Sequence, residues 1–482
     1  MNRTVLITAA LSLLLAGCAV GPNYRRPLVE VPKQWTVAGL GGASTEPLDR
    51  DEWWSSFEDP ELASLIERAA RGSLDLQLAL ERVEEARAVA GRARSGQLPS
   101  LDTRISATRL RGGISQGVIR AAPSSGDPDG RASLISPFET NSFLGNLGAS
   151  WEIDVFGGVR RHVEAASADA AAAEENRRDV LVILLGDVGS VYAELRGFQR
   201  RLEIANENIA SQQETLDLTR ARAQAGLATE LDVARAAAQL ESTRAAVPAL
   251  RAGIDVSIHR LSVLLGEEPG KLRPELAKTS PIPSAGPDVR VGLPSDLFER
   301  RPDIRRAERE LEAATARVGE AKAERFPRFL LTGTAGRQAT QLRDLTVGMG
   351  NFFTLGPAVS LPIFTGGRVR SDIAAASARR GAALVLYRSA VLRALEETQN
   401  ALVRYAEEQE RRDRLGRAVE QSRLAVDLAA EQYRAGLVDF LSVLEAQRAL
   451  YATEDQLAQS QTSVTTGLVT LYRALGGGWS IQ

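Results

Sequence analysis

Histidine and cysteine supply many of the nucleophiles, general bases and soft metal ligands that proteins use. This 482-residue chain has only two imidazoles, His162 and His259, and one thiol, Cys18. That inventory excludes most zinc sites and any disulfide within the chain. The sequence also contains no phosphate-binding Walker loop. Both histidines stand alone in helical sequence, so we interpret them as structural and predict no catalytic residue, no metal site and no cofactor.

The single cysteine has a specific setting. A basic start ending at Arg3 is followed by an apolar run from Val5 to Ala16, which is too short to span a bilayer, and then by Gly17 and Cys18. The pattern Leu-Ala-Gly-Cys resembles the lipobox of bacterial lipoproteins, whose cysteine becomes the new N-terminus and carries acyl chains. We therefore predict a signal peptide over 1–17 and a covalent lipid at Cys18. Because Ala19 rather than Asp follows, the resemblance implies delivery to the outer membrane.

The charge balance bears on possible partners. The sequence has 59 basic and 61 acidic residues, a net charge of -2. A chain with this charge balance has no excess of positive charge that would attract polyanions. We therefore predict no nucleic-acid partner.

The chain repeats its own plan. Adding 210 to a residue number maps Ala225-Gly226-Leu227 onto Ala435-Gly436-Leu437, whereas adding 228 maps Gly91 onto Gly319 upstream. The difference of 18 predicts an insertion in the first copy, and the turn-rich stretch from Arg120 to Pro137 is its expected place. We assign an N-terminal arm (18–60), a first repeat (61–266), a Pro-rich linker (267–294), a second repeat (295–476) and a tail (477–482).

Each repeat contains two runs in which apolar and polar residues alternate, as in Phe143–Val155 and Leu101–Thr108. Alternation predicts strands, here two β-hairpins at about 98–156 and 326–364. Strands of roughly ten residues with this pattern are typical of transmembrane barrels. A soluble hairpin with one buried face gives the same pattern, and Pro357 weakens one strand because proline lacks a donor.

Long proline-free segments follow both hairpins, from Val159 to Ala225 and from Val369 to Ala435. As helices they would be roughly 100 Å long at about 1.5 Å per residue. Apolar residues at spacings of three and four predict coiled-coil-like packing. Further helices are predicted at Leu74–Arg94, Thr229–Leu265, Asp303–Glu324 and Asp439–Leu475. Four strands cannot close a barrel in lipid, so closure requires more chains, although periodicity alone also allows a dimer.

Several motifs coincide with this plan. They are Cys18-Ala19-Val20-Gly21-Pro22, Trp53-Trp54-Ser55-Ser56-Phe57, Arg300-Arg301-Pro302-Asp303 and Gly476-Gly477-Gly478-Trp479. Over essentially its whole length the chain resembles the outer-membrane factor lipoproteins of tripartite efflux systems, the NodT-type branch related to the TolC channels. The resemblance implies an α+β membrane protein: a homotrimer with one shared twelve-stranded barrel, four strands per protomer, and a twelve-helix periplasmic tunnel.

The resemblance also implies the partners and the activity. A periplasmic adaptor protein and an inner-membrane pump, commonly of the resistance-nodulation-division class, would dock to the channel and supply the energy. The channel itself would export drugs or other small toxic compounds passively, without catalysing a reaction.

In this family the periplasmic end is closed by a leucine and an acidic residue one turn apart, and the matching positions are Leu441 and Glu445. Three copies would form an apolar ring beside a carboxylate ring. Tyr433 and Arg434 match the pair that ties neighbouring helices near the gate. Close relatives usually have Asp where this chain has Glu445, and the longer side chain is expected to change the pore radius or the contact it makes. Without the resemblance, Leu441 would be an ordinary core leucine, Glu445 a solvated helix face and Arg434 part of a surface salt bridge.

Other positions near the predicted helix ends also bear on function. Gly226 and Gly436 permit the chain reversal between long helices, at exposed tips where an adaptor would bind. Arg235 corresponds to Glu445, so the repeats differ in charge there. Trp53 and Trp54 are either membrane-interface aromatics or contacts of the N-terminal arm with the helices.

Three alternatives remain open at this stage. One is a protein-secretion duct of the TolC type, which the lipobox disfavours. Another is a lipoprotein scaffold that bridges the envelope, which the four alternating runs disfavour. The third is an envelope enzyme, for which the sequence shows no catalytic constellation.

Overall fold

The computed structural model describes residues 19–36, 43–44, 52–112, 138–286, 289–346 and 350–479. The predicted signal peptide, the lipidation site Cys18 and the predicted loop from Arg120 to Pro137 lie outside these residues.

Seven helices of more than ten residues account for most of the described chain. They are α1 (Pro60–Gly72), α2 (Leu74–Ser95), α3 (Gly158–Gln224), α4 (Glu230–Leu264), α5 (Pro302–Ala323), α6 (Arg368–Arg434) and α7 (Phe440–Ala474). All six predicted helices are confirmed to within a residue or so at each end. The seventh, α1, was not predicted. It begins where the Asp59 side chain accepts hydrogen bonds from the amides of Glu61 and Leu62, with Pro60 at the first helical position.

Four strands form one antiparallel sheet in sequence order: β1 (Ser100–Gly112), β2 (Phe138–Ile153), β3 (Arg328–Ala339) and β4 (Asn351–Ser360). The register places Ala149 opposite Gly333, and Phe329 opposite Val359. Odd-numbered residues pair with odd-numbered residues throughout, so they share one face of the sheet. The predicted alternation is therefore confirmed. Pro357 lies in β4, at an edge of the described sheet, where a missing donor is tolerated.

The remaining elements are short. Ala43–Ser44 pairs in parallel with Val289–Arg290. The chain also has helices at Arg273–Leu276 and Leu297–Arg300 and 3-10 helices at Trp53–Phe57, Pro294–Asp296 and Leu342–Leu345.

Two compact units divide the chain. The first holds the described residues within Met1–Tyr24, Arg87–Ser167 and Glu312–Arg380, which include the sheet. The second holds those within Arg25–Ala86, Ala168–Leu311 and Gly381–Gln482, which include the helix tips.

In the first unit, the segment that follows Cys18 is held by specific contacts. The amide of Val20 donates to the carbonyl of Phe156 at 3.0 Å. Buried Arg161 donates to the Val20 carbonyl at 3.2 Å and to Asn23 Oδ1 at 2.6 Å. Three hydrogen bonds therefore fix the start of the arm against the sheet end of α3.

In the second unit, the N-terminal arm packs on a helix through its tryptophans. Trp53 is buried and stacks on Tyr472 of α7, with ring centroids 5.6 Å apart. Trp54 meets the edge of Trp53 at 5.7 Å. Of the two interpretations of these tryptophans, packing of the arm is confirmed.

The second unit also contains a buried polar cluster. The side chain of Arg196 in α3 is fully buried, forms an ion pair with Glu61 of α1, and donates to Gln199 Oε1 at 2.6 Å and to the carbonyl of Lys278 at 2.7 Å. The hydroxyl of Tyr192 donates to Asp59 Oδ2 at 2.9 Å, and burial raises the pKa of Tyr192. The cluster therefore joins the start of α1, the middle of α3 and the linker between the repeats.

Among the described residues, no helix has both the length and the apolar character that a bilayer crossing requires. In that same part of the chain, no group of three or more His, Cys, Asp or Glu side chains is placed to hold a metal ion. His162 instead lies with Nδ1 3.0 Å from Oε1 of Glu320.

Candidate functional site at the helix tips

The two helix tips have the same turn. Gly226 follows α3 with φ of 74°, and Gly436 follows α6 with φ of 75°. The amide of Leu227 donates back to the Arg222 carbonyl at 2.8 Å, and that of Leu437 donates to the Gln432 carbonyl at 2.9 Å. This bonding caps the last turn of a helix and needs a left-handed residue, which glycine supplies without strain. The predicted role of both glycines in reversing the chain is confirmed.

Each return helix starts with a side-chain cap. Thr229 accepts from the amide of Asp232, whose carboxylate accepts in turn from the Thr229 amide. Asp439 accepts from the amide of Ser442. Such caps stabilise a helix start by about 1 kcal/mol each. Both tips are therefore fixed turns that expose a leucine, Leu227 in the first repeat and Leu437 in the second.

A small core from both repeats lies behind the tips. The Tyr433 ring meets the edge of Phe440 at 5.9 Å between centroids. The buried members of this core are Leu216, Ala236, Leu240, Tyr433, Phe440, Val443 and Leu444. The core therefore holds the ends of α3, α4, α6 and α7 together.

Arg222 connects the two repeats across this core. Its guanidinium lies 4.5 Å from the centroid of the Tyr433 ring, and Nη1 donates to the Tyr433 carbonyl at 2.8 Å. The Tyr433 side chain is buried, and its hydroxyl finds no hydrogen-bond partner among the described residues. Tyr433 is therefore held through its ring and its carbonyl rather than its hydroxyl.

Sequence reasoning missed Arg222. The residue 210 positions later is Gln432, so the repeat is broken at this point, and that break was the available signal.

Leu441 and Glu445 lie one turn apart on the same exposed face of α7. Leu441 is 37% exposed, whereas Val443 and Leu444 beside it are buried. Leu441 is therefore not a core leucine of its own chain. Its counterpart in the first repeat, Leu231, is exposed as well.

The charged residues around this face differ in their contacts. Arg434 is exposed, and its guanidinium has no ion pair with any residue that the structure describes. Arg235, the counterpart of Glu445, lies 3.9 Å from Asp232 of its own helix. Arg448 of α7 donates to Gln239 Oε1 of α4 at 2.5 Å. The predicted charge difference between the repeats therefore lies on the exposed side of the return helices.

Comparison with known proteins relates this architecture to efflux proteins. The family model for outer membrane efflux proteins matches residues 65–267 and 293–477. Nodulation protein T of Rhizobium leguminosarum bv. trifolii is 33% identical over 480 residues, covering 100% of this chain and 98% of that protein. The solvent efflux pump outer membrane protein SrpC of Pseudomonas putida is 31% identical over 475 residues, covering 98% and 97%. The structure of the outer-membrane channel OprN superposes with a TM-score of 0.86 at 36% identity, covering 96% and 100%.

Proposed function

Because this chain belongs to the outer membrane efflux protein family, we propose that it works as a homotrimer whose three chains share one barrel and one helical tunnel. The family match covers both repeats, and the fold is that of the TolC-type channels. The chain is an outer-membrane channel of efflux pumps. The residues of this chain support more specific proposals about how the channel assembles, how it is anchored and how it closes.

The state of the sheet edges carries this proposal. Among the described residues, β1 and β4 each pair on one side only. In lipid every backbone donor and acceptor must be paired, so an open four-stranded sheet cannot remain alone in a bilayer. Three copies of four strands give twelve strands, enough for a closed barrel.

The tips support the proposed partners and gate. The exposed leucines Leu227 and Leu437 form apolar points at fixed turns, which suits docking of a periplasmic adaptor linked to an inner-membrane pump of the resistance-nodulation-division class. Leu441 and Glu445 lie on the face of α7 directed away from the core, as ring-forming residues must.

The cargo class that we propose, drugs or other small toxic compounds, is supported by the similarity to SrpC, a solvent efflux protein. The channel is passive and performs no catalysis.

A lipid at Cys18 is the proposed anchor, together with the barrel, and the proposed channel needs no cofactor. Its support is the lipobox and the contacts that hold Val20 and Asn23, since a fixed segment directly after the anchor gives the lipid a defined position. Several buried acyl chains anchor a protein stably, at about 0.8 kcal/mol per buried methylene. We expect Cys18→Ala to abolish incorporation of labelled palmitate in cells, while Ala19→Ser keeps it. Label that persists in Cys18→Ala contradicts the anchor.

The gate is tested in planar bilayers. We expect Leu441→Ser to raise the conductance of the isolated channel, because a polar ring no longer resists wetting. Leu437→Ser is the matched control, since Leu437 is more exposed but lies in the turn rather than on the α7 face. An unchanged closed state in Leu441→Ser would place the gate elsewhere. The absence of any conductance in both variants and the native chain would contradict a channel.

A further inference from the structure

The apolar face of the sheet carries its charges at one end. Odd-numbered residues form this face, and most of them are apolar or small, such as Phe143 and Leu355. Within the four described strands, the charged residues of the face are Arg109, Arg111, Glu139 and Arg337. All four lie at the end of the sheet away from the helices, because β1 and β3 begin just after α2 and α5 end.

The helix end of the same face has a different chemistry. Trp151 of β2 is 37% exposed and donates its indole N–H to the carbonyl of Gln97 at 3.0 Å. Phe329 begins the odd-numbered row of β3, and no charged residue of the described strands lies on this face there. Aromatic side chains of this kind suit a membrane interface. The two ends of one apolar surface therefore differ, with aromatic rings at the helix end and arginines at the other.

Two of the arginines share one carboxylate. Arg111 lies directly opposite Glu139 in the strand register. Glu139 accepts a 2.6 Å ion pair from Arg109 and lies 3.4 Å from Arg111, and the two arginine side chains are 71% and 77% exposed. One carboxylate cannot neutralise two guanidinium groups, so this pair of strands keeps a net positive charge at its outer end.

The third arginine is held in place by neutral groups. Arg337 donates from Nε to Asn351 Oδ1 at 2.8 Å and from Nη1 to the carbonyl of Leu345 at 3.0 Å. Neither acceptor carries a charge, so the described part of the chain positions this guanidinium without neutralising it. A guanidinium fixed in this way is suited to an oxyanion, because its planar set of donors matches phosphate oxygens.

We propose that Arg109, Arg111 and Arg337 bind the phosphate groups of the phosphorylated glycolipid in the outer leaflet of the outer membrane. In the proposed channel the helices lie in the periplasm, so the opposite end of the sheet faces the exterior and its apolar face contacts lipid. A lipid headgroup with several phosphates complements a row of arginines directly above an apolar surface. This inference rests on the proposed barrel and adds the lipid that it recognises.

Binding of purified lipopolysaccharide to the full chain in detergent solution tests the proposal, with thermophoresis of the labelled protein as the measurement. Arg109→Gln with Arg337→Gln should weaken binding by about 30-fold, because each cation near an anionic lipid surface contributes to affinity. Arg104→Gln is the matched control, since Arg104 lies in β1 on the even-numbered face. The control should bind as the native chain does.

A second variant changes the affinity in the opposite direction. Glu139→Gln removes the carboxylate that Arg109 and Arg111 share and should tighten binding by about fivefold. A misfolded variant would not bind more tightly, so this result cannot come from loss of structure. Phosphatidylglycerol, a phospholipid with one phosphate, should bind the native chain more weakly than lipopolysaccharide does.

The contrary results are distinct. Unchanged affinity in the double variant, an equal loss in Arg104→Gln, or equal binding of phosphatidylglycerol would overturn this inference and leave the homotrimer standing. A monomeric mass for the native chain in detergent would overturn the homotrimer, and with it the assignment of the apolar face to lipid.

Discussion

Arg196→Ala is expected to lower the free energy of unfolding by about 3 kcal/mol, the lower end of the range for breaking a buried ion pair, because the Glu61 carboxylate left behind is 26% exposed. The Arg196 side chain is fully buried. Its guanidinium forms an ion pair with Glu61 and donates hydrogen bonds to the Gln199 side chain and to the carbonyl of Lys278. Alanine would leave the Glu61 carboxylate without its cation and two acceptors without a donor. Because Glu61 belongs to α1, the loss should also loosen that helix from α3.

The measurement is the denaturant midpoint of the detergent-solubilised protein, followed by far-ultraviolet circular dichroism. Arg200→Ala is the matched control, since Arg200 lies in the same helix and forms a half-exposed ion pair with Glu203 at 2.5 Å. Exposed pairs of this kind contribute roughly 0.2–1 kcal/mol. Equal losses in the two variants would show that burial of Arg196 adds nothing to stability.

The helical framework could be predicted because its signals are local. The segments that became α3 and α6 contain no proline and end before a glycine that caps the last turn. Because the chain is duplicated, each of these sequence patterns occurs twice, and an element predicted in one repeat was expected in the other. The helix that was missed, α1, has local signals too, Asp59 at the cap and Pro60 after it, but it lies between the predicted end of the arm at residue 60 and the first predicted helix at Leu74, where no element was assigned.

The contacts that hold the elements together could not be predicted in the same way. Arg196 is one of 59 basic residues, and nothing near it in sequence distinguishes its fully buried guanidinium from an exposed one. Its partner Glu61 lies 135 positions away. Arg222 likewise meets Tyr433 across 211 positions. Such pairs depend on which helices become neighbours, and periodicity alone does not specify that.

Leu441 and Glu445 represent an intermediate case. The spacing of four predicts a shared helix face, and the structure shows that this face is exposed in the single chain. Whether the face lines a pore depends on the other two subunits of the proposed trimer. The gate therefore stays a prediction, and the contact of Arg222 with Tyr433, which joins the two helix tips within one chain, is the more direct target.

Arg222→Met is expected to open the resting channel. The cation–π contact of this partly buried guanidinium is worth about 1–2 kcal/mol, and the hydrogen bond to the Tyr433 carbonyl adds to it. A loss of about 2 kcal/mol per chain changes the balance between closed and open tips by roughly 30-fold. Methionine keeps the length and apolar stem of the side chain, so the core around Tyr433 should stay packed. Single-channel recording in planar bilayers should show a larger mean conductance than that of the native chain.

Two further variants separate the possible tethers. Tyr433→Phe should leave the conductance unchanged, because the ring and the carbonyl remain and the hydroxyl has no partner among the described residues. Arg434→Met should also have little effect if Arg222 is the tether, since the exposed Arg434 guanidinium makes no ion pair within the described part of its own chain. A larger conductance in Arg434→Met than in Arg222→Met would instead show that the tips are held by contacts between subunits. A conductance increase in Tyr433→Phe would show that the hydroxyl gains a partner in the proposed trimer, and either result would overturn Arg222 as the principal tether.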